Sequence, residues 1–173
     1  GEYRYRVLAQ NPNSDFGKII SINLLTNEKK IISLGHRNPQ GLYFNDETNT
    51  LISTEHGPSG GDEINVLNFD SVNYQVTIPN YGWPQSSYGK HYYQKKKDSR
   101  LELSPLKKSH SKHGFIEPIK YFTPSVGISE IIGLPSNFNN IDENQYIVGT
   151  MGTGKKVKEG MLSLFYFIYD SKK

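Results

Sequence analysis

Short apolar runs of strand length alternate along the chain with polar breaks rich in Gly, Asn and Asp. "YRYRVLAQ" (3–10) alternates and predicts a strand. "GKIISINLL" (17–25) and "KKIISLG" (29–35) are β-branched runs joined by "TNE", a hairpin-like turn. "GLYFN" (41–45) and "TLISTE" (50–55) flank "DETNT", whose Asp, Asn and Thr favour a turn. "DEINVLNF" (62–69) sets Ile64, Val66 and Asn68 against polar neighbours. "QYIVGTM" (145–151) and "MLSLFYFIYD" (161–170) predict two late strands. "SEIIGLPSNF" (129–138) is too short for an amphipathic helix and is cut by Gly133 and Pro135. Pairs of short strands at hairpin spacing predict an all-β sandwich, barrel or propeller.

Composition and its distribution along the chain change this picture. Hydrophobic residues are only 35% of the 173, but aromatics reach 12%, so rings must supply much of the buried area. Cysteine is absent, which excludes disulfides, thiolate metal sites and Cys nucleophiles. No apolar run approaches the roughly 20 residues of a membrane-spanning helix. "GEYRYRVLAQ" has no apolar signal-peptide core. The net charge of +3 is mild and implies no nucleic-acid partner by itself.

The segment 87–114 is basic, Ser-rich and poor in aliphatics, and is expected to be a surface excursion. Lys95, Lys96 and Lys97 read as a solvated face. Tyr92 and Tyr93 beside them leave a polyanion patch as an alternative, with no nucleic-acid motif to support it.

Two stretches are not core filling. In "GHRNPQG" (35–41), Pro39 restrains Asn38 to extended geometry. Arg37 and Asn38 are thereby presented between two strands. A guanidinium is a planar fork suited to carboxylates, and Asn adds a donor and an acceptor. Either an anion or cofactor clamp or a structural turn results. In "EHGPSGGDE" (55–63), Gly57-Pro58 breaks the strand and turns carbonyls outward beside Asp62 and Glu63. Oxygen donors of this kind suit a hard cation such as calcium. His56 is a possible base or ligand, though a lone His at a strand end is more often a structural hydrogen-bonder. "NYGWP" (80–84) is a further rigid turn, with Trp83 packed and Tyr81 offering its hydroxyl or carbonyl.

Taken in order, "GKIISINL", "GHRNPQGL", "TEHGPSGGDEIN" and "NYGWP" resemble the glucose/sorbosone dehydrogenase family, soluble aldose dehydrogenases that use pyrroloquinoline quinone (PQQ). The resemblance continues through "KYFTPSVGIS" (120–129) and "QYIVGTM". It implies a six-bladed β-propeller of four-stranded antiparallel blades. It also implies that Arg37, Asn38 and Ser125 bind the cofactor. The carbonyls of Gly57 and Pro58 would hold the calcium that PQQ also ligates. Glu63 and Tyr81 match positions that bind a second, structural calcium in some members. Periplasmic or secreted placement follows from the same resemblance.

Three departures qualify it. The family's catalytic histidine lies upstream of the strand resembling "GKIISINL", yet none of the sixteen residues before Gly17 is histidine. No catalytic residue is therefore assigned, and His56 is the nearest substitute. The family's cofactor-binding lysine has no match in place, since Lys155 and Lys156 are displaced by a Gly/Lys-rich stretch. "FDSVNYQVTIP" (69–79) is inserted where many members run from "DEIN" into "NYGWP". A propeller blade takes about 40–50 residues, so residues 1–173 are expected to form one partial propeller domain of fewer than four blades. Open blade edges invite self-association. Two functions follow: a piece of a PQQ- and calcium-dependent dehydrogenase oxidising the anomeric carbon of aldoses, or a non-catalytic propeller module of the same lineage.

Overall fold

The computed structural model describes residues 5–71, 77–92, 99–138, 143–152 and 159–170. Among the described residues, nine strands form three antiparallel sheets in chain order. β1 (Lys18–Ile22) pairs with β2 (Lys29–Leu34). β3 (Pro39–Asn45), β4 (Thr50–Glu55), β5 (Asp62–Asn68) and β6 (Lys120–Phe122) make a four-stranded blade. β7 (Ile128–Gly133), β8 (Gln145–Thr150) and β9 (Leu164–Ile168) make the third sheet.

The hairpin turns follow from their Asn residues. Asn23 Oδ1 accepts from the N–H groups of Leu25 and Thr26, and Asn27 takes a φ of 58°. Asn45 Oδ1 does the same for Glu47 and Thr48, and Asn49 takes 49°. Short polar side chains bond the local backbone and tolerate the left-handed region, so each closes a turn.

Three expected features differ. The alternating stretch "YRYRVLAQ" contains a 3-10 helix, Arg6–Gln10, because Ala9 packs with Trp83 and Leu106 and, among the described residues, no strand pairs with it. "ISEIIG" is β7, with Ile128 and Ile131 buried against the second sheet. β5 does not alternate in burial. Asp62, Glu63, Ile64 and Asn65 are all buried, because the inter-sheet core covers Ile64 on one face while Glu63 and Asn65 meet His110 and Glu55 on the other.

Ile52, Ile64, Val126, Ile128, Ile131, Tyr146 and Val148 form the main core between the second and third sheets. Ile32, Leu51, Leu67 and Tyr81 form a second core. The 87–114 excursion is partly internal: Ser104, Leu106 and His110 are buried. Lys95 to Lys97 lie outside the described residues.

Candidate functional site

Three turns share one end of the four-stranded blade. Pro39 opens β3 opposite Glu55, which closes β4. Asp62 opens β5 opposite Phe122, which closes β6. The turns 35–38, 56–61 and 123–127 therefore lie on one rim. The turn 80–84 joins them, since Tyr81 N–H donates to Leu34 O and Trp83 N–H to Gly35 O, both at 2.9 Å. Gly57 is required here: a Cβ would fall 2.2 Å from the carbonyl oxygens of both Gly60 and Gly61.

Arg37 is held on this rim by several groups. Nη1 donates to the His56 carbonyl at 2.8 Å and Nη2 to the Tyr92 hydroxyl at 3.4 Å. The guanidinium lies 5.4 Å from the Trp83 ring centre and 5.8 Å from that of Tyr92, within cation–π range. Asn38 is exposed, and its carbonyl accepts the His56 N–H at 3.1 Å. The two stretches singled out in the sequence thus bind each other.

Beneath them lies a buried polar layer. Glu55 Oε2 accepts the Arg37 N–H at 2.7 Å and the Asn38 N–H at 3.4 Å. Its Oε1 faces His36 Nδ1 at 3.3 Å and accepts from Asn65 Nδ2 at 2.9 Å. Burial pushes the Glu55 carboxyl up, but hydrogen bonding and charge from His36, with the Arg37 and Asn38 N–H groups, hold it below its ordinary value. Glu63, its cross-strand partner, goes the other way. Burial and then the Glu55 charge hold the Glu63 carboxyl well above the ordinary range. His110 Nε2 faces Glu63 Oε1 at 3.5 Å, and burial lowers the imidazole's affinity for a proton. A cavity of about 10 Å³ touches Glu55, Glu63, Gly57, Gly61, Tyr81 and Trp83. That is the space of one water-sized sphere.

Ser33 Oγ lies 2.8 Å from His36 Nε2, so Ser33, His36 and Glu55 have the connectivity of a hydrolase triad. Ser33 and His36 are fully buried, so no substrate reaches the hydroxyl. The trio is a structural link between β2 and β4.

Asp62 is wholly buried and fully engaged. Oδ1 accepts the Gly57 N–H at 3.1 Å and the Ser125 hydroxyl at 2.6 Å. Oδ2 accepts three successive N–H groups, from Val126, Gly127 and Ile128, at 3.0, 2.8 and 3.2 Å. Of the acidic pair in "GGDE", Asp62 is committed to backbone.

The glucose/sorbosone dehydrogenase profile matches residues 1–158. The chain belongs to that family. An uncharacterized protein, slr1608, of Synechocystis sp. is 31% identical over 172 residues, which covers 92% of this chain and 37% of the relative. The quinoprotein glucose dehydrogenase B of Acinetobacter calcoaceticus is 46% identical over 54 residues, 31% of this chain and 9% of the relative. The crystal structure of the soluble aldose sugar dehydrogenase of Escherichia coli in its apo form superposes with a TM-score of 0.62 at 27% identity, covering 87% of this chain and 43% of that one. The chain thus spans less than half the length of these relatives. The three antiparallel sheets are blades of the family's all-β propeller.

Within this family member the predicted residues fall as follows. Arg37, Asn38, Gly57 and Pro58 meet on one rim. Ser125 joins them through Asp62. Glu63 and Tyr81 both face the small cavity, but the Tyr81 hydroxyl donates to the Val66 carbonyl at 2.9 Å. His56 Nε2 lies 2.6 Å from the Ile128 carbonyl, which occupies that nitrogen. Lys155 and Lys156 lie outside the described residues. Sequence reading missed Glu55 and His110. Glu55 ends an ordinary strand, and His110 sits in a basic run, so neither carries a local signal. Asp62 carried one: an Asp that opens a strand after two glycines is placed to accept turn N–H groups.

Proposed function

We propose that the chain supplies part of the quinone and calcium rim of a PQQ-dependent aldose dehydrogenase. The observation that carries this reading is the pair of bonds joining the Arg37–Asn38 turn to the His56–Pro58 turn. The names of the Acinetobacter and E. coli relatives support a quinone cofactor and an aldose substrate. Arg37 would meet carboxylate oxygens of the cofactor through its guanidinium. Asn38 would offer its exposed amide. Ser125 would offer oxygen lone pairs, its proton being given to Asp62. The carbonyls of Gly57 and Pro58 would take the calcium. Bound PQQ would supply the two-electron acceptor for oxidising the anomeric carbon.

A second, structural calcium would sit in the cavity under the rim. Glu55 and Glu63 are buried and face it. Glu55 is already engaged by four groups, so Glu63 is the carboxyl that would meet a hard cation there. Glu63 would ligate by its carboxylate and Tyr81 by its carbonyl. Among the described residues no helix is long and apolar enough to cross a membrane, and periplasmic or secreted placement accompanies this reading.

A second reading is a non-catalytic binding module of the same family. It is favoured by the histidines. His36 and His110 are buried, His56 faces the Ile128 carbonyl, and His91 lies between Arg6 Nη1 at 3.2 Å and the Ser104 carbonyl at 2.9 Å. Four of the five are thus buried or engaged, where a general base must be accessible, and the fifth, His113, is exposed outside the rim turns.

Calorimetry on metal-stripped protein tests the reading. Heat on adding calcium is expected, reduced by Glu63→Gln. PQQ is then titrated while the fluorescence of Trp83, the single tryptophan and a neighbour of Arg37, is followed. Calcium-dependent quenching is expected. No heat at millimolar calcium and no quenching would remove both sites.

A further inference from the structure

Asp62 joins two turns that the chain order keeps apart. Gly57 belongs to the β4–β5 turn of the four-stranded blade. Ser125, Val126 and Gly127 belong to the connection from that blade into the next sheet. One buried carboxylate accepts hydrogen bonds from both. Three successive N–H groups converging on one oxygen make a cradle that holds an anion firmly. The link extends further. Gly127 O accepts the Met151 N–H at 2.7 Å, and Val126 O accepts the Gly152 N–H at 2.8 Å. The turn after β8 is therefore held by the same segment. A Cβ on Gly127 would fall 2.2 Å from Gly152 O, so these strands of backbone lie in direct contact.

We propose that Asp62 is a positioning residue that sets the spacing between the Gly57–Pro58 turn and the Ser125 turn, and through it the calcium affinity of the rim. This rests on the proposed function, because the two turns matter together only if one ligand touches both. The acid adjoining Glu63 then serves geometry rather than metal charge. Its carboxylate has no lone pair left over after five bonds, so it cannot also ligate a cation without releasing a turn. Asparagine cannot replace it. An amide keeps one acceptor oxygen and turns an N–H₂ group toward backbone donors, so one of the two turns loses its anchor.

Two measurements test this. Hydrogen exchange is read at the amides of Gly57, Val126, Gly127 and Ile128, in wild type and in Asp62→Asn. Calcium affinity is read by calorimetry on the same proteins. In wild type the turn amides are expected to exchange as slowly as strand amides. This arm needs no variant. In Asp62→Asn their exchange should rise at least about tenfold while β4 and β8 amides stay protected. Calcium affinity should fall by a similar factor. Asp62→Glu, which restores the charge with a longer reach, should recover exchange protection in part. Fast exchange at residues 126–128 in wild type overturns the proposal. So does an Asp62→Asn variant that binds calcium within twofold of wild type. If wild type shows the protection, and its loss in Asp62→Asn, but binds no calcium, the clamp is supported and the proposed function is what fails. If Asp62→Asn does not fold, Ser125→Ala replaces it. That variant removes one bond from Oδ1 and should raise exchange at Gly57 more than at Ile128; equal effects would count against the clamp.

Discussion

Arg37 is fixed before any ligand arrives. Its guanidinium is bonded to a carbonyl and lies within reach of two rings, and its N–H is anchored on Glu55. Such preorganisation lowers the entropy lost on binding. Arg37→Lys keeps the charge but loses the planar fork and the ring contacts. Charge-assisted hydrogen bonds are worth about 1.5–3 kcal/mol, so PQQ affinity is expected to fall on the order of 10- to 100-fold. Fluorescence titration of the lysine variant against wild type checks this, and an unchanged affinity would remove Arg37 from the rim. Glu63 governs a different property. Burial and the Glu55 charge raise its pKa in the folded protein, so the native state holds a proton that the unfolded chain has released. That contribution is fully present below the ordinary carboxyl pKa and is lost as pH rises from there through the raised value. Calcium-free wild type should therefore lose stability across that window. Glu63→Gln, uncharged throughout, should lose less. Urea denaturation at a series of pH values measures the difference, and parallel curves would contradict it.

The strands show which features of a chain can be read in advance. β1 to β5, β8 and β9 were legible because β-branched and aromatic runs sit between Asn-rich turns. β6 was not. It has three residues, Lys120–Phe122, and pairs with β5 across more than fifty residues of chain, so no local pattern announces it. β7 was hidden by its composition: Ser129 and Glu130 interrupt the apolar run, and Glu130 is spent on the N–H groups of Leu42 and Ile131. The rim residues were legible as turns, since Gly and Pro mark them. The layer beneath them was not, because the Glu55–Glu63 pairing exists only after β4 and β5 align. Alignment in turn depends on the shared core. Ile52 is fully buried on β4 and packs in the cluster that joins the second and third sheets. Ile52→Ala should cost about 2–5 kcal/mol, a large part of an ordinary domain's stability. Chemical denaturation gives the value, and a cost below about 1 kcal/mol would mean that the blades do not depend on that core.

At the scale of the whole molecule, the described residues form sheets of two, four and three strands, and the chain spans less than half the length of the relatives it matches. The outer strands leave apolar surface open. Leu164 and Ile168 of β9 are exposed, and a groove of about 910 Å³ between β6 and β9 is lined by Phe122, Phe165 and Phe167. The rim histidines, His36 and His56, are engaged by protein partners. General-base catalysis contributes typically about 10²–10⁴-fold, and hydride transfer also depends on holding the reactants in a narrow geometry. The 173-residue chain, supplied with PQQ and calcium as a monomer, is therefore expected to bind both weakly and to oxidise no aldose at a measurable rate. A dye-linked assay with glucose and other aldoses checks the rate, and sedimentation under the same conditions checks the state of association. Turnover at an enzyme's usual 1–10³ per second from a monomer would overturn the expectation and send the search for a base back to His56, whose ring would have to leave the Ile128 carbonyl. Turnover that appears only with protein concentration would instead place the missing side of the site on a second copy, docked through the open edges, and Leu164→Lys should then abolish it while leaving calcium binding intact.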